Sequence, residues 1–127
     1  MSRTIISADG RFEWDENKDR LNLKNHGFSF EEILEIFDDP AFLEGYDQEH
    51  SEKEERYFGI GCLNNILYII AFYTLRESYS KKDRLQNLTV KAAKPHKLIE
   101  RIRIISARRA DKEEQELYND YFKKIKS

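Results

Sequence analysis

The run "ILYIIAFYT" at residues 66–74 is almost entirely apolar, β-branched or aromatic. This composition is typical of a central strand that is buried on both faces. Three other segments have strand character, and they are "AFLEGY" (41–46), "RYFGIG" (56–61) and "RIRIISA" (101–107). The Gly- and Asn-rich turn that precedes the central strand favours a hairpin. We therefore predict an antiparallel sheet of about four strands.

Helix signals flank this sheet on its N-terminal side. After a possible short strand "FEW" (12–14), Asp15 is suited to cap a helix over residues 16–25, and Gly27 suits its left-handed end. A second helix is predicted over residues 29–37, because Ser29 and Glu32 have the spacing of a capping box.

A C-terminal helix is predicted from Asp111, which forms a second capping box with Glu114. Its apolar stripe contains Leu117, Tyr118, Tyr121, Phe122 and Ile125. The predicted fold class is therefore α+β, with two N-terminal helices and one C-terminal helix packed on the sheet.

The length of 127 residues predicts a single domain that spans residues 1–127. Residues 1–11 are expected to be a loose leader. Residues 75–100, with seven Lys and Arg against three Asp and Glu, form an inserted connection between two strands. This connection either extends both strands as a long hairpin or folds a helical turn around residues 81–88.

Several classes of site are not predicted. Cys62 is the only cysteine, which excludes an internal disulfide and a multi-cysteine zinc site, and His26, His50 and His96 are far apart in the sequence. The chain has no Gly-rich nucleotide loop, so neither a cofactor nor a metal ion is predicted. No apolar run approaches a membrane span of roughly 18 residues, and no secretory signal is present, so the expected location is the cytoplasm.

Charge is divided unevenly along the chain. Residues 1–55 contain 6 Lys and Arg and 16 Asp and Glu, whereas residues 56–127 contain 16 and 8 respectively. Such asymmetry indicates an anionic partner for the basic part. The alternative is that the two parts neutralise each other within the fold.

Five arginines are concentrated at the ends and on the polar face of the predicted strands: Arg56, Arg101, Arg103, Arg108 and Arg109. Guanidinium groups bind phosphate through two parallel hydrogen bonds and stay charged at any working pH. Such a cluster is suited to hold an RNA phosphodiester and to stabilise the charge of its transition state.

A structural explanation exists for each arginine. Arg103 on a sheet face has Glu44, Glu55 or a helix carboxylate as potential partners, and Arg101 near a loop is explained by solvation. Arg108 and Arg109 are neighbours in an extended segment, and their side chains are therefore expected to point in opposite directions. One of the two is expected to be structural.

Four ordered blocks resemble the BrnT family of bacterial ribonuclease toxins. They are "FEWDENKDRLNLKNHGFSFEEILEIFDDP" (12–40), "EERYFGIG" (54–61), the hydrophobic strand (66–74) and "RIRIISARRADKEEQELY" (101–118). The resemblance implies a RelE-like fold, metal-independent RNA cleavage and inhibition of translation. It also implies a cognate BrnA-like antitoxin with a ribbon-helix-helix domain. The antitoxin, and not the toxin itself, is expected to contact operator DNA. The family has only a short turn in place of residues 75–100.

The resemblance also implies site residues. The family has Lys-His-Gly where this chain has Asn25-His26-Gly27, and Lys24 lies one position earlier, about 100° away on a helix. The second block implies Glu55 and Arg56, and the last block implies Arg103, Arg108, Glu114 and Tyr118. The alternative for His26 is a helix-terminal cap.

These observations predict an endoribonuclease in which the ribose 2′-hydroxyl attacks the neighbouring phosphorus. The arginines position the phosphate, His26 or Lys24 transfers a proton, and Glu55 orients an arginine or acts as base. The predicted catalytic residues are Lys24, His26, Glu55, Arg56, Arg103 and Arg108, and the predicted RNA-contacting residues are Arg101, Arg109 and Tyr118. The alternative function is a non-catalytic module that binds RNA or a protein on the same basic face.

Overall fold

A computed structural model describes residues 2–79 and 97–126 of the chain. Its strands are β1 (Thr4–Ile6), β2 (Phe12–Asp15), β3 (Leu43–Tyr46), β4 (Arg56–Leu63), β5 (Leu67–Tyr79) and β6 (Lys97–Arg109). Its helices are α1 (Glu16–His26) and α2 (Lys112–Lys126), with 3₁₀ turns at Leu34–Asp38 and Gln48–His50. The strands form one sheet in the order β1-β2-β6-β5-β4-β3, in which β2 and β6 are parallel and all other neighbours antiparallel.

This architecture corrects the predicted one. The expected RelE-like arrangement, two N-terminal helices and a C-terminal helix on a four-stranded antiparallel sheet, is wrong, because the sheet has six strands, is mixed, and is accompanied by two α-helices in the described residues. The extra strands β1 and β2 extend one edge. Residues 4–6 of the supposedly loose leader pair with residues 13–15, and strands this short leave almost no periodic signal in the sequence.

The predicted second helix is replaced by turns and a 3₁₀ segment. The capping box is present, since Ser29 N–H donates to Glu32 Oε1 at 3.0 Å and Glu32 N–H donates to Ser29 Oγ at 3.2 Å. However, the fully buried side chains are Phe30, Ile33 and Ile36. A burial period of three matches the 3₁₀ helix instead of the 3.6-residue α-helix.

The two faces of the sheet have different surroundings. On the first face, the segment that contains the 3₁₀ turn Leu34–Asp38 covers a core that includes Phe12, Trp14, Tyr73 and Ile104. On the second face, α2 covers a smaller core that includes Ile60, Ile70, Ala110 and Tyr118. The part of the second face that lies beyond α2 carries charged side chains, and we call it the arginine face; it consists of Glu13, Arg56, Thr74, Arg76, Arg101 and Arg103.

Helix α2 begins as predicted. Asp111 N–H donates to Glu114 Oε1 at 2.9 Å, and Glu114 N–H donates to Asp111 Oδ1 at 2.8 Å. Its apolar stripe is only partly buried, because Tyr118 is 6% exposed whereas Leu117 is 51% and Ile125 47% exposed. Neither helix in the described ranges is long and apolar enough to cross a membrane.

The predicted inserted connection is partly regular structure. Strand β5 continues to Tyr79 and β6 begins at Lys97, so both ends of the segment 75–100 pair with each other in the sheet. Leu75 packs against the core of the first face. The alternative helical turn around residues 81–88 lies outside the described residues.

Helix α1 is attached to the sheet by a buried side-chain amide. Asn22 is 4% exposed. Its Nδ2 donates to the carbonyl of Ala107 at 2.8 Å and to that of Phe28 at 2.9 Å, and its Oδ1 accepts from Ala107 N–H at 2.9 Å. Because β2 pairs with β6 only as far as Ile104, Asn22 takes the place of a strand partner at Ala107.

We expect Asn22→Ala to lower the free energy of unfolding by about 2–4 kcal/mol, because it leaves buried backbone groups of Ala107 without partners. The measurement is urea denaturation followed by circular dichroism. The matched control is Asn25→Ala, an exposed asparagine in the same helix, which should change stability by less than about 0.5 kcal/mol. Equal effects of the two substitutions would contradict the bonding role of Asn22.

Candidate functional site

A row of four side chains crosses the centre of the arginine face. Strand pairing places Glu13 opposite Arg103, Arg103 opposite Thr74, and Thr74 opposite Arg56. Side chains of directly paired residues project from the same side of a sheet and lie next to each other. Four neighbouring strands thus bring together one carboxylate, one hydroxyl and two guanidinium groups from distant parts of the sequence.

Glu13 is the central carboxylate of this face. It is 8% exposed and accepts a short hydrogen bond from Arg103 Nη1. Arg76 Nε lies 3.8 Å and Arg101 Nη1 4.0 Å from its carboxylate oxygens, and Arg76 Nη1 also lies 3.4 Å from Glu54 Oε1. Two carboxylates therefore face three guanidinium groups here, and Arg56 adds a fourth positive charge.

Two groups in the row have unused hydrogen-bonding capacity. Within residues 2–79 and 97–126, the Arg56 guanidinium has no hydrogen-bond or ion-pair partner. Thr74 is 3% exposed, and its buried hydroxyl likewise lacks a described partner. Buried polar atoms are usually satisfied, and this hydroxyl belongs to a residue that lies between two arginines on neighbouring strands.

A cavity of about 450 Å³ opens beside Arg56 and Thr74. Its remaining wall comes from the loop between β3 and β4, and contains Glu49, His50, Glu52, Lys53 and Glu54. The ring nitrogen Nδ1 of His50 lies 3.0 Å from Asp47 Oδ2. The structure thus places a carboxylate-bound histidine next to the unpaired arginine.

A β-bulge decides which C-terminal arginine joins the arginine face. The β5–β6 register shifts at Ile105, which is an extra residue on β6. A bulge moves the alternation of side chains by one position, so Arg108 projects on the same side as Arg103, and Arg109 projects on the opposite side. The prediction that these two neighbours point in opposite directions agrees with this geometry.

Arg108 is occupied by a structural contact. Its Nη1 and Nη2 donate to the Glu114 carboxylate at 2.8 and 2.9 Å, and these hydrogen bonds raise the pKa of Arg108. The guanidinium carbon lies 5.7 Å from the ring centroid of Phe72. Because Glu114 also caps α2, this pair joins β6 to the C-terminal helix, and Arg108 is not part of the row.

The predicted proton-transfer residues lie elsewhere. Lys24 and His26 are exposed near the end of α1, which is attached to the backbone of β6 through Asn22 and Ala107. In the described residues, no hydrogen bond or ion pair joins either of them to Arg56 or Arg103.

Two further predicted residues are directed away from the row. Glu55 is exposed and accepts from the Tyr57 hydroxyl at 3.4 Å, whereas its neighbour Glu54 lines the cavity. The Tyr118 hydroxyl donates to Asp39 Oδ2 at 2.6 Å, and burial together with this hydrogen bond raises the pKa of Tyr118. Tyr118 therefore stabilises the packing of α2 on the sheet.

Sequence reasoning missed Glu13, Thr74, Arg76, Asp47 and His50 as members of this region. The sequence contains one usable signal, which is the charged residue between Phe12 and Trp14, both buried. The remaining residues come together only through strand pairing and loop closure. Among the residues that the structure describes, no group of three His, Cys, Asp or Glu side chains is arranged to hold a metal ion, and burial raises the pKa of the Cys62 thiol.

Comparison with known proteins identifies the family. Residues 14–114 match the family described as "Ribonuclease toxin, BrnT, of type II toxin-antitoxin system". The chain belongs to the BrnT family. This confirms the resemblance carried by the four sequence blocks, and membership of a type II system implies a protein antitoxin as partner and RNA as substrate.

One solved BrnT structure is similar to the chain. It is the 1.1 Å crystal structure of the Brucella abortus ribonuclease toxin BrnT, with 20% sequence identity and a TM-score of 0.48. The similarity covers 78% of this chain and 94% of the Brucella chain. No match was found among curated proteins.

We expect Glu13→Gln to destabilise the fold by roughly 2 kcal/mol, because hydrogen bonds to charged groups contribute about this much and the remaining arginines repel each other. Sulfate or phosphate should restore part of the lost stability, because the anion can occupy the place of the Glu13 carboxylate. The measurement is the melting temperature of wild type and variant at constant ionic strength with chloride or sulfate. Glu113→Gln, at an exposed position of α2, is the control. If sulfate raises the melting temperature of Glu13→Gln no more than that of wild type, Glu13 is not the carboxylate that neutralises the arginines of this face.

Proposed function

We propose that this BrnT-family chain is an endoribonuclease that cleaves RNA without a metal ion, by attack of the ribose 2′-hydroxyl on the adjacent phosphorus. The observation that carries the proposal is the row Arg56–Thr74–Arg103, in which the Arg56 guanidinium and the buried Thr74 hydroxyl lie on neighbouring strands and have no partner among the described residues.

The chemistry needs positive charge at that point. Attack of the 2′-hydroxyl adds negative charge to the phosphate oxygens in the transition state, and fixed donors stabilise this charge without reorganisation. Guanidinium groups match two phosphate oxygens at once, and the Thr74 hydroxyl adds a third donor. These groups supply the electrostatic stabilisation that a metal ion provides in other nucleases.

The sheet is a suitable platform for such donors. Arg56, Thr74 and Arg103 lie on three consecutive strands in the interior of the six-stranded sheet. Glu13 holds the Arg103 guanidinium on the face through a hydrogen bond. A side chain fixed by a neighbour is preorganised, and sites on strands are more precise than sites on loops.

The biological setting follows from the family. The toxin acts in the cytoplasm, where cleavage of RNA inhibits translation, and a BrnA-like antitoxin with a ribbon-helix-helix domain neutralises it. In this proposal, operator DNA is contacted through the antitoxin, and no membrane is involved. Of the strongly acidic residues 1–55, Glu13 pairs with Arg103 of the row, whereas Arg56 has no ion-pair partner in the described structure.

The decisive variant is Arg56→Ala, because the Arg56 guanidinium has no hydrogen bond or ion pair in the described residues that its loss would break. We expect unchanged thermal stability and a fall in cleavage rate of about 10²-fold, the scale of a removed transition-state donor. The measurement is single-turnover cleavage of a labelled RNA in EDTA. Products should carry 2′,3′-cyclic phosphate and 5′-hydroxyl ends, and a single 2′-deoxy substitution at the cleavage site should prevent cleavage.

Two further variants complete this experiment. Arg20→Ala removes an exposed charge from α1 and should leave cleavage unchanged. Arg103→Lys should retain the ion pair with Glu13 and much of the stability, but lose activity comparably to Arg56→Ala, because an ammonium group lacks the two-pronged geometry of a guanidinium. Cleavage that requires a divalent ion would contradict the proposal, and RNA binding without any cleavage would favour the non-catalytic alternative.

A further inference from the structure

The loop between β3 and β4 holds a histidine in a defined orientation. His50 Nδ1 lies 3.0 and 3.2 Å from the two carboxylate oxygens of Asp47. An ionised carboxylate only accepts hydrogen bonds, so Nδ1 carries the proton and Nε2 of the neutral ring is left as an acceptor. The Asp47 side chain is 11% exposed and that of His50 58%, so the orienting group is fixed while the ring remains accessible.

The same loop connects His50 to Arg56. Asp47 N–H donates to the Arg56 carbonyl at 2.8 Å. The Ser51 hydroxyl donates to the Asp47 carbonyl at 2.6 Å and accepts from Arg56 N–H at 3.0 Å. These bonds close the loop at its base, so the position of the Asp47–His50 pair is set relative to the first residue of β4.

His50 and Arg56 line the same cavity of about 450 Å³, together with Thr74. This volume lies within the range of about 300–1,000 Å³ that is typical of small-ligand sites. The other titratable groups around His50 are Asp47, Glu49, Glu52, Lys53 and Glu54. Of the cavity carboxylates, Glu54 is paired with Arg76.

We propose that His50, oriented by Asp47, is the general base that activates the ribose 2′-hydroxyl, in place of His26, Lys24 or Glu55. This inference rests on the ribonuclease function proposed above. The inference is based on one cavity that is lined by the carboxylate-bound imidazole of His50, by Arg56 and by Thr74. The Arg56 guanidinium and the buried Thr74 hydroxyl have no partner among the described residues.

The proton balance of the step is complete with one histidine. As the bond between O2′ and phosphorus forms and the bond between phosphorus and O5′ breaks, the proton of the 2′-hydroxyl passes to Nε2 of His50. The departing O5′ takes a proton from water and leaves as a 5′-hydroxyl. The imidazolium then returns its proton to the hydroxide formed from that water. Asp47 stabilises the imidazolium while it exists, and Arg56 contacts the phosphate oxygens.

The test compares His50→Ala with wild type in single-turnover cleavage from pH 5 to 9. We expect a rate loss of about 10²- to 10⁴-fold, the usual contribution of a general base. The rise of the wild-type rate from low pH should disappear in the variant. Binding of a 2′-O-methyl RNA, which cannot react, should change by less than about threefold, because His50 acts on a proton and supplies no phosphate contact.

Chemical rescue separates a missing base from a structural effect. Free imidazole added to His50→Ala should restore part of the cleavage, whereas it should not restore cleavage by Arg56→Ala. Asp47→Asn should reduce the rate, because an amide stabilises the imidazolium formed in the reaction less than a carboxylate does. The matched control is Gln48→Ala, an exposed residue of the same 3₁₀ turn that lies outside the cavity lining, and it should retain wild-type kinetics.

The outcomes are distinguishable. Wild-type protein that cleaves no RNA would overturn the proposed function and this inference together. If wild type cleaves RNA, and His50→Ala retains the rate and the low-pH limb, only the assignment of His50 is overturned. If His26→Ala loses cleavage while His50→Ala keeps full activity, His26 is the general base and His50 is not.

Discussion

The carboxylate of Glu13 is the constraint on which the arginine face depends. Glu13 belongs to β2 and lies opposite Arg103 of β6, at the one parallel pairing of the described sheet. Its carboxylate binds Arg103, and side-chain nitrogens of Arg76 and Arg101 lie within 4.0 Å of it. Removal of one member of a buried ion pair is costly because the remaining charge is left without a partner. The same carboxylate fixes a guanidinium in place, while Arg56 has no ion-pair partner in the described residues, and this combination is the reason why we propose that the face binds an anion.

Local chemistry explains which parts of the fold were predictable. Asp15 and Gly27 mark the ends of α1, and the Asp111 capping box marks the start of α2, because each signal depends only on residues a few positions apart. The capping box at Ser29 formed as well, but it specifies a turn and not the helix that follows it. The short strand predicted at residues 12–14 is present as β2, but its parallel pairing with β6 was not predicted, since that partner is about 90 residues away. Strand β1, which pairs with β2, was assigned to the loose leader.

The candidate site shows the same division. Arg56 and Arg103 were predicted because arginines at a strand start and on the polar face of an alternating strand are visible in the sequence. Arg108 could not be assigned in this way, because the bulge at Ile105 reverses the alternation that the sequence suggests. Glu13 was missed because it reaches the arginines only through the pairing of β2 with β6. His50 was missed because it reaches the Arg56 cavity only through closure of the β3–β4 loop. Family resemblance supplied the ribonuclease class, and the residues that it implied for proton transfer, Lys24 and His26, lie near the end of α1 with no described hydrogen bond to Arg56 or Arg103.

The central claim is that RNA phosphate binds at the row formed by Arg56, Thr74 and Arg103. The most direct measurement follows the arginine Nε–Hε signals by nuclear magnetic resonance, assigned by single Arg→Lys variants, during titration with an RNA carrying one 2′-deoxy residue at the cleavage site. We predict saturable shifts and slowed hydrogen exchange at Arg56 and Arg103, with the signals of Arg20 and Arg109 unchanged. Shifts confined to Arg109 and helix α1, with Arg56 and Arg103 unaffected, would contradict the claim and place the RNA on the opposite face of the sheet.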